Sequence, residues 1–411
     1  MPVIHVDLDA FYVSVELRRR PDLRESGVPV LVAGTGPRGV VMSASYDARA
    51  LGVHAGQPTV RARRLCPDAV VLPPDFDAYA AVSANVMAVL HGFVRRVEQV
   101  GLDEAYLDLA GVPLRPAALG RLIRLRVAEE QGLACSVGIG PNKLVAKLAS
   151  VAAKPDGLRE VTEDQVRGFL RPQPAAALPG VGGKTAEALA RFGLHTVADL
   201  ADTPRDTLRR ILGAAAGDGL HALSRGLDER PVVPQRTERS LGHEHTFPAD
   251  VDDPETVRRT LLDLSAATAA RLRAAGLAGR TVTLKLRFAD LRTITRSRTL
   301  PEAVDLTPDL HAAAVGLYEA LGLRRARIRL LGVRVEGLAP GGRPQQLELG
   351  GREHGWSEVE RTVDALAARF GSAAPRPASL LRSSLRNGPG GGNHAPPPLV
   401  HEARSTPENP R

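Results

Sequence analysis

The first residues of the chain alternate between apolar and polar side chains in a way that predicts a β-strand. Apolar side chains recur at every second position over residues 4–10, which is the spacing of one strand face. Asp7 and Asp9 then share one face, and two aromatic residues, Phe11 and Tyr12, follow at once. A buried, unpaired carboxylate is costly, so these acids need a cation or a shell of hydrogen-bond donors.

The pattern beyond this strand predicts an α/β protein of several domains. Runs of strand length alternate with helical spacing up to residue 165, and residues 166–230 have the spacing of short helices joined by tight turns. Residues 231–239 have the composition of a linker. Residues 240–340 predict a βαββαβ order, typical of a small split-βαβ domain. Over 341–411 we expect a mostly flexible tail that holds one amphipathic helix.

Bulk composition narrows the class of protein. A chain of 411 residues is enough for two or three domains at about 150 residues each. The net charge of +8 favours an anionic partner such as nucleic acid, unless it only reflects an arginine-rich composition. Cys66 and Cys135 make no disulfide framework. No secretory signal or membrane-spanning run is present, so we expect a cytoplasmic protein without membrane association.

A second acidic cluster lies in the segment GLDEAYLDL. Asp103 and Glu104 are adjacent, so they face one site only if the chain bends there, which Gly101 would permit. Together with Asp7 they would supply hard oxygen ligands for Mg²⁺. Two such ions, about 3.5–4 Å apart, can activate a hydroxyl and stabilise a leaving phosphate. The alternative is that these acids cap turns or pair with arginines.

Candidate phosphate ligands lie between and after the two acidic clusters. In residues 43–53, Tyr46 and Arg49 are three apart and share a face if the segment is helical. Their donors could hold a triphosphate, with Ser43 nearby. Lys154 lies at a predicted helix exit, from which it could reach the same phosphates as a point charge. Each of these residues taken alone could equally be an ordinary surface group.

A glycine-rich turn begins a helix in residues 178–200. The backbone amides of Gly180, Gly182 and Gly183 are available to bind a phosphate at the helix start. A second short helix follows, which gives a helix-hairpin-helix pattern. We expect these glycines and Lys184 to bind DNA backbone without reading sequence.

Basic side chains recur on two adjacent predicted strands, over residues 281–300. Lys285 and Arg287 share one face, as do Arg292, Arg296 and Arg298. A basic sheet face in a small domain suits contact with a duplex backbone. The alternative is a solvated sheet face.

Five segments together resemble the Y-family, or translesion, DNA polymerases. In chain order they are VDLDAFYVSVE, SASYDARALGV, LDEAYLDL, GIGPNKLVAKLASVAAKPDG and LPGVGGKTAEALARFG. The resemblance implies a right-hand polymerase. Its parts would be a palm over 1–10 and 75–165, small fingers over 11–74, a helix-hairpin-helix thumb over 166–230 and a little finger over 240–340.

The same resemblance implies roles for individual residues. Asp7 and Asp103 would ligate two Mg²⁺ ions, Glu104 would ligate the ion nearest the primer and complete the catalytic set, and the Leu8 carbonyl would be a further ligand. The residues implied to bind the incoming nucleotide are Phe11, Tyr12, Ser43, Tyr46, Arg49 and Lys154. Tyr12 would also exclude ribonucleotides.

The segment QQLELGG, residues 345–351, resembles the short motif by which such polymerases dock on a sliding clamp. Its candidate contacts are Gln346, Leu347 and Leu349, although Gly350 stands where a bulky residue is common. A sliding clamp is therefore an expected partner.

The sequence as a whole predicts a monomeric, template-directed DNA polymerase of low fidelity. We expect it to act on primer-template DNA and deoxynucleoside triphosphates during DNA repair and damage tolerance. One rival is a non-catalytic family member that acts as an adaptor between clamp and repair proteins, but such proteins typically lose the metal-binding acids. A nucleotide cyclase with a similar palm would not need a grip on duplex DNA.

Overall fold

The alternation at the start of the chain forms strand β1 (Val3–Leu8), although both of its faces are buried. The chain then forms, in order, α1 (Phe11–Arg19), α2 (Pro21–Ser26), β2 (Val30–Ala33), β3 (Val41–Ala44), α3 (Tyr46–Ala50), α4 (Thr59–Leu65) and β4 (Val70–Leu72). Strands β3, β2 and β4 make a three-stranded sheet in that order. The structure, a computed structural model, describes residues 2–235, 237–323, 325–341 and 355–371.

A five-stranded sheet is built around β1. The next elements are α5 (Phe76–Phe93), β5 (Val97–Gln99), β6 (Glu104–Asp108), α6 (Pro116–Gln131), β7 (Cys135–Gly140), α7 (Lys143–Ala153) and β8 (Leu158–Glu160). The strand order is β5-β6-β1-β7-β8, and β1 is antiparallel to both of its neighbours. Asp7 therefore lies in the central strand, between β6 and β7.

Helices α6 and α7 cover opposite faces of β7. Val137 and Ile139 face α6, because a side chain added at Gly120 of that helix would meet both. Gly138 faces α7, where a Cβ atom would lie 2.0 Å from the carbonyl oxygen of Ala146. Only glycine allows so close an approach, so α7 lies directly on the strand and carries its lysines to the sheet.

Residues 166–230 are helical, as the spacing predicts. The helices are α8 (Val166–Leu170), α9 (Gly183–Ala190), α10 (Val197–Asp202), α11 (Arg205–Leu212) and α12 (Ala214–Ser224). Their apolar faces share a core that includes Leu189, Leu200 and Leu208, all fully buried. Two 3₁₀ turns, Glu163–Gln165 and Ala175–Ala177, accompany them.

Residues 240–340 have the predicted βαββαβ order. The elements are β9 (Ser240–Val251), α13 (Pro254–Ala274), β10 (Leu277–Phe288), β11 (Thr293–Val304), α14 (Thr307–Glu319) and β12 (Ile328–Pro340). The sheet order is β11-β10-β12-β9, with antiparallel pairing throughout. Helices α13 and α14 bury the face of the sheet that includes Val282, Leu284 and Leu286. The amphipathic segment after the sheet forms α15 (Trp356–Phe370), as predicted.

The chain divides into two compact units. The first takes Met1–Val32, Met42–Ala55 and Arg63–Arg236, and the second takes Ala33–Val41, Gly56–Ala62 and Thr237–Arg411. The finer division into palm, fingers, thumb and little finger stays a prediction. Cys66 and Cys135 are both buried and unbridged. Among the described residues, no helix has the length and apolar character needed to cross a membrane.

Candidate active site

The three predicted catalytic acids come together where β1 pairs with the start of β6. Asp7 lies directly opposite Glu104 in the antiparallel register. Asp103 precedes β6 in a bend over residues 101–103, and its carbonyl accepts a hydrogen bond of 2.8 Å from the Leu8 amide. The predicted bend is thus confirmed, and Asp103 and Glu104 are brought to the same end of β1.

The carboxyl groups of this cluster differ in their electrostatics. Burial, reinforced by the nearby charges of Asp7 and Glu104, raises the pKa of Asp103. Contacts with His5 and Lys147 lower the pKa of Glu104 to about 2. The charged form of Asp103 is therefore disfavoured where it lies, and a cation bound there would stabilise it.

Two lysines from α7 and its exit contact this cluster. The Lys154 ammonium lies 2.5 Å from Asp7 Oδ1, and the Lys147 ammonium lies 2.6 Å from Glu104 Oε2. Lys154 was expected at this site, but Lys147 was not. The sequence spacing could have indicated Lys147, because it lies seven residues before Lys154 and therefore on the same helical face.

His5 is a second residue that the sequence analysis missed. Its ring is fully buried, with Nε2 3.3 Å from Glu104 Oε2 and Nδ1 2.7 Å from the Ser150 hydroxyl. Burial lowers the pKa of His5. The signal was its period-two relation to Asp7, which places both side chains on one face of β1.

The donor set suits a hard divalent cation. Asp7, Asp103 and Glu104 offer carboxylate oxygens, and Leu8, which follows Asp7 directly, offers a carbonyl oxygen. Oxygen ligands of this kind are those that Mg²⁺ prefers. In the described part of the chain, no three His, Cys, Asp or Glu side chains already converge on one point. Asp7 and Glu104 instead each contact a lysine.

The predicted phosphate ligands gather around α3. Ser45 caps this helix by accepting a hydrogen bond from the Ala48 amide, and the Arg49 guanidinium lies over the Tyr46 ring, 4.9 Å from its centroid. The shared face predicted for Tyr46 and Arg49 is confirmed. Ser43 is buried at the end of β3, and Arg49 is exposed to solvent.

Phe11 and Tyr12 begin α1 within an aromatic cluster. The Tyr12 ring stacks on Tyr79 with centroids 4.5 Å apart and meets Phe76 edge-on at 6.0 Å. Burial and the nearby Asp103 charge raise the pKa of Tyr12. Tyr12 therefore lies within electrostatic reach of the acidic cluster, whereas Phe11 is almost fully buried.

The candidate DNA contacts of the helix-hairpin-helix pattern lie at the start of α9. Gly180 has a φ of +91°, a value that favours glycine, and Gly182 and Gly183 lie at the first turn of the helix. All three have open space where a side chain would stand, and Lys184 is exposed.

The basic residues of β10 and β11 do not form one sheet face. Arg296 and Arg298 lie opposite Leu284 and Val282, whose side chains point to the helix-covered face. Lys285 and Arg287 point to the other face, because side chains alternate along β10. Each predicted pair therefore shares a face, but the two pairs lie on opposite faces of the sheet, and their contact with DNA stays a prediction.

The clamp-docking segment with Gln346, Leu347 and Leu349 lies outside the described residues.

Three family models match the chain. The impB/mucB/samB family matches residues 6–151, its C-terminal domain matches 238–349, and the thumb domain of DNA polymerase-iota matches 176–228. The first match contains the acidic cluster, and the third contains the glycine-rich turn.

Similar proteins extend these matches over most of the chain. DNA polymerase IV of Halorhodospira halophila (strain DSM 244 / SL1) is 44% identical over 349 residues, which cover 84% of this chain and 97% of that protein. DNA polymerase IV of Methanoculleus marisnigri (strain ATCC 35101 / DSM 1498 / JR1) is also 44% identical, over 82% of this chain and 95% of that protein.

Solved structures show the same relationship. A Y-family DNA polymerase chimera aligns with a TM-score of 0.76 at 26% identity, covering 83% of this chain and 100% of the other. An insertion ternary complex of Dbh DNA polymerase aligns with a TM-score of 0.59 at the same identity and coverage.

Proposed function

Because the chain belongs to the DNA polymerase IV branch of the Y family and is a DNA-directed DNA polymerase, we propose that it extends primers past template damage by a two-metal mechanism. The observation that carries the proposal is the strand register, which brings Asp7, Asp103 and Glu104 to the same end of β1 and β6. The same three acids argue against a non-catalytic adaptor.

Mg²⁺ is the ion that this site would hold, on Asp7, Asp103, Glu104 and the Leu8 carbonyl. When bound, a pair of such ions would activate the primer hydroxyl and stabilise the leaving pyrophosphate. Asp103 is buried beside two other carboxylates, and this setting raises its pKa, so a cation that compensates its charge would be favoured here.

The side chains around the acids would bind and orient the nucleotide. Arg49 and Lys154 supply positive charge for the triphosphate, and Tyr46 lies beneath the Arg49 guanidinium. Lys154 is placed to exchange its contact with Asp7 for one with a phosphate oxygen. Ser43 and the Phe11 amide would assist, and Tyr12 would exclude a 2′-hydroxyl by steric contact.

The remaining proposals concern the setting of the reaction. We infer low fidelity, since the fingers segment is short and carries small residues near the nascent pair. The enzyme would act as a cytoplasmic monomer on primer-template DNA and deoxynucleoside triphosphates. Gln346, Leu347 and Leu349 would dock it on a sliding clamp.

Substitution of the acids tests the mechanism. Asp7→Ala and Asp103→Ala should each abolish nucleotide addition, because the ions lose a carboxylate ligand. DNA binding should persist, since it rests on phosphate contacts elsewhere in the chain. Primer extension and gel-shift assays on the same preparations measure both properties.

A control for these variants lies on the same strand. Asp108 ends β6 and pairs with Arg96 at 3.1 Å, away from the acidic cluster. Asp108→Ala should extend primers at the parent rate. Substantial extension by either the Asp7 or the Asp103 variant would refute the two-metal assignment.

A further inference from the structure

Asp9 is the one acid of the opening strand pattern that the proposed mechanism does not use. Its side chain is only 3% exposed, so an ionised carboxylate there needs a full set of donors. Asp9 follows β1, and its amide donates to the Ala134 carbonyl at 3.0 Å. The backbone thus fixes where the carboxylate points.

The donors that surround this carboxylate come from three separate parts of the chain. Oδ1 accepts a hydrogen bond of 2.9 Å from the Tyr46 hydroxyl, and Oδ2 accepts one of 2.7 Å from the Asp156 amide. The Ser136 hydroxyl lies 3.0 Å from each oxygen. Both oxygens are therefore engaged with protein donors, which is a satisfied hydrogen-bonding shell rather than a metal-binding arrangement.

Two of these donors belong to the proposed triphosphate site. The Arg49 guanidinium stacks over the Tyr46 ring. The Asp156 amide lies two residues after Lys154, whose ammonium reaches Asp7. One buried carboxylate therefore joins the α3 side of the site to the segment that follows α7.

We propose that Asp9 is a positioning residue that holds Tyr46 and the Lys154–Asp156 segment in the geometry needed to bind the triphosphate. This inference rests on the proposed nucleotide-binding role of Tyr46 and Lys154. Because protein donors engage both of its oxygens, Asp9 would act without touching metal or substrate. Its effect would be to fix the distance between Arg49, which lies over the Tyr46 ring, and Lys154, the two cationic groups proposed to bind the phosphates.

Asp9→Asn tests the proposal with little change in size. The amide still offers one acceptor oxygen, but its NH₂ group must replace the other. It would then face the Asp156 amide, which can only donate, or the Tyr46 hydroxyl, which would have to turn from donor to acceptor. We expect the Kd and KM for the nucleotide to rise about tenfold, the effect of losing one charge-assisted hydrogen bond, with a smaller change in kcat. The rise should be equal for all four nucleotides, because the phosphates are common to them. Binding is measured with a dideoxy-terminated primer, so it does not depend on turnover.

Glu360→Gln provides a matched control. Glu360 is also a buried carboxylate, 6% exposed, and it accepts a hydrogen bond of 3.0 Å from the Thr307 amide. Its substitution should lower the thermal midpoint without changing the Kd of the nucleotide. If Asp9→Asn lowers stability but leaves the Kd within twofold of the parent value, the carboxylate is structural only and the proposal is overturned.

Two further variants keep the test decisive. If Asp9→Asn does not fold, Ser136→Ala removes one donor from Asp9 and should raise the Kd two- to threefold; an unchanged Kd there overturns the proposal.

Tyr46→Phe tests the underlying assignment, which is that Tyr46 helps to bind the nucleotide. If it leaves the Kd unchanged, the nucleotide role of Tyr46 is wrong, whereas a raised Kd in Tyr46→Phe with none in the Asp9 variant rejects only the positioning role. A combined Asp9→Asn and Tyr46→Phe variant should lose less than the product of the two single effects.

Discussion

The Tyr12 ring packs against other aromatic rings. It stacks nearly parallel to Tyr79, at an interplanar angle of 18°, and Phe76 meets it edge-on. The hydroxyl of Tyr79 in turn donates to buried Glu16. A ring supported in this way cannot yield easily to an added atom on a substrate, which is the property a steric filter requires.

Tyr12→Ala should admit ribonucleotides while deoxynucleotide incorporation remains near the parent rate. We expect the preference for the deoxy sugar to fall by about tenfold or more, or about 1.4 kcal/mol in discrimination. Tyr12→Phe keeps the ring and should keep the preference. Single-nucleotide incorporation with matched sugars measures both variants.

The opposite outcome would identify Tyr12 as a core residue. Truncation would then cost about 3–5 kcal/mol of stability. Both activities would fall together, and the sugar preference would equal that of the parent enzyme.

At the scale of residues, the acids and Lys154 were predictable as site residues, but the contacts between the acids and the lysines were not. The alternation around Asp7 and the adjacency of Asp103 and Glu104 are local patterns, so the sequence reveals them. Lys147 and Lys154 reach the acids from a helix far along the chain. Their contacts depend on how α7 lies on the sheet, which no local pattern encodes.

At the scale of elements, one glycine explains why α7 can deliver its lysines. The Cβ of any larger residue at position 138 would overlap the helix backbone at Ala146 and Ser150. The periodicity predicted β7 and α7 separately. It did not predict their close approach, because a glycine inside a strand signals proximity without identifying the partner.

The basic residues on β10 and those on β11 differ in how available they are to bind DNA. Lys285 is already bound to Glu244, at 2.7 and 2.9 Å. Arg296 donates to its neighbouring carbonyl, and neither it nor Arg298 forms an ion pair within the described residues. No carboxylate that the structure describes compensates the charges of the two arginines, so they are more available than Lys285 to bind a DNA phosphate.

Arg296→Ala with Arg298→Ala should weaken DNA binding and its dependence on salt. The slope of log K against log salt should flatten by about 0.9 for each DNA phosphate that the variant no longer neutralises. Arg258→Ala with Arg259→Ala removes the same charge from α13 and should leave the slope unchanged. Equal slopes for the two double variants would mean that the β11 arginines do not contact DNA.

At the scale of the whole molecule, the order of elements could be predicted but their grouping could not. The βαββαβ pattern is local and was read correctly. Residues 33–41 and 56–62, however, belong to the second unit although they lie within the predicted fingers. Arg38 donates to the Phe247 carbonyl at 2.9 Å and pairs with Asp250 at 2.5 Å. Such a pairing across more than 200 residues leaves no trace in periodicity.

The C-terminal helix affects how the clamp motif should be tested. Asp364 of α15 binds the Arg273 guanidinium at 2.6 and 2.8 Å, and the buried Glu360 accepts from the Thr307 amide at 3.0 Å. Deleting everything from residue 345 would remove these partners and leave Arg273, itself mostly buried, without its carboxylates. Such a truncation would confound loss of docking with loss of stability.

Point substitutions in the motif avoid this difficulty. Gln346→Ala, Leu347→Ala and Leu349→Ala together should remove stimulation by the sliding clamp, because apolar anchors carry most of the affinity of short docking motifs. Extension of short primers without the clamp should be unchanged. A chain that ends at residue 371 retains both the motif and α15, so it should be stimulated as the full chain is. Primer extension is measured with and without the clamp for the parent, the triple variant and the shortened chain. If the clamp stimulates the triple variant as strongly as the parent, the polymerase binds the clamp through another surface.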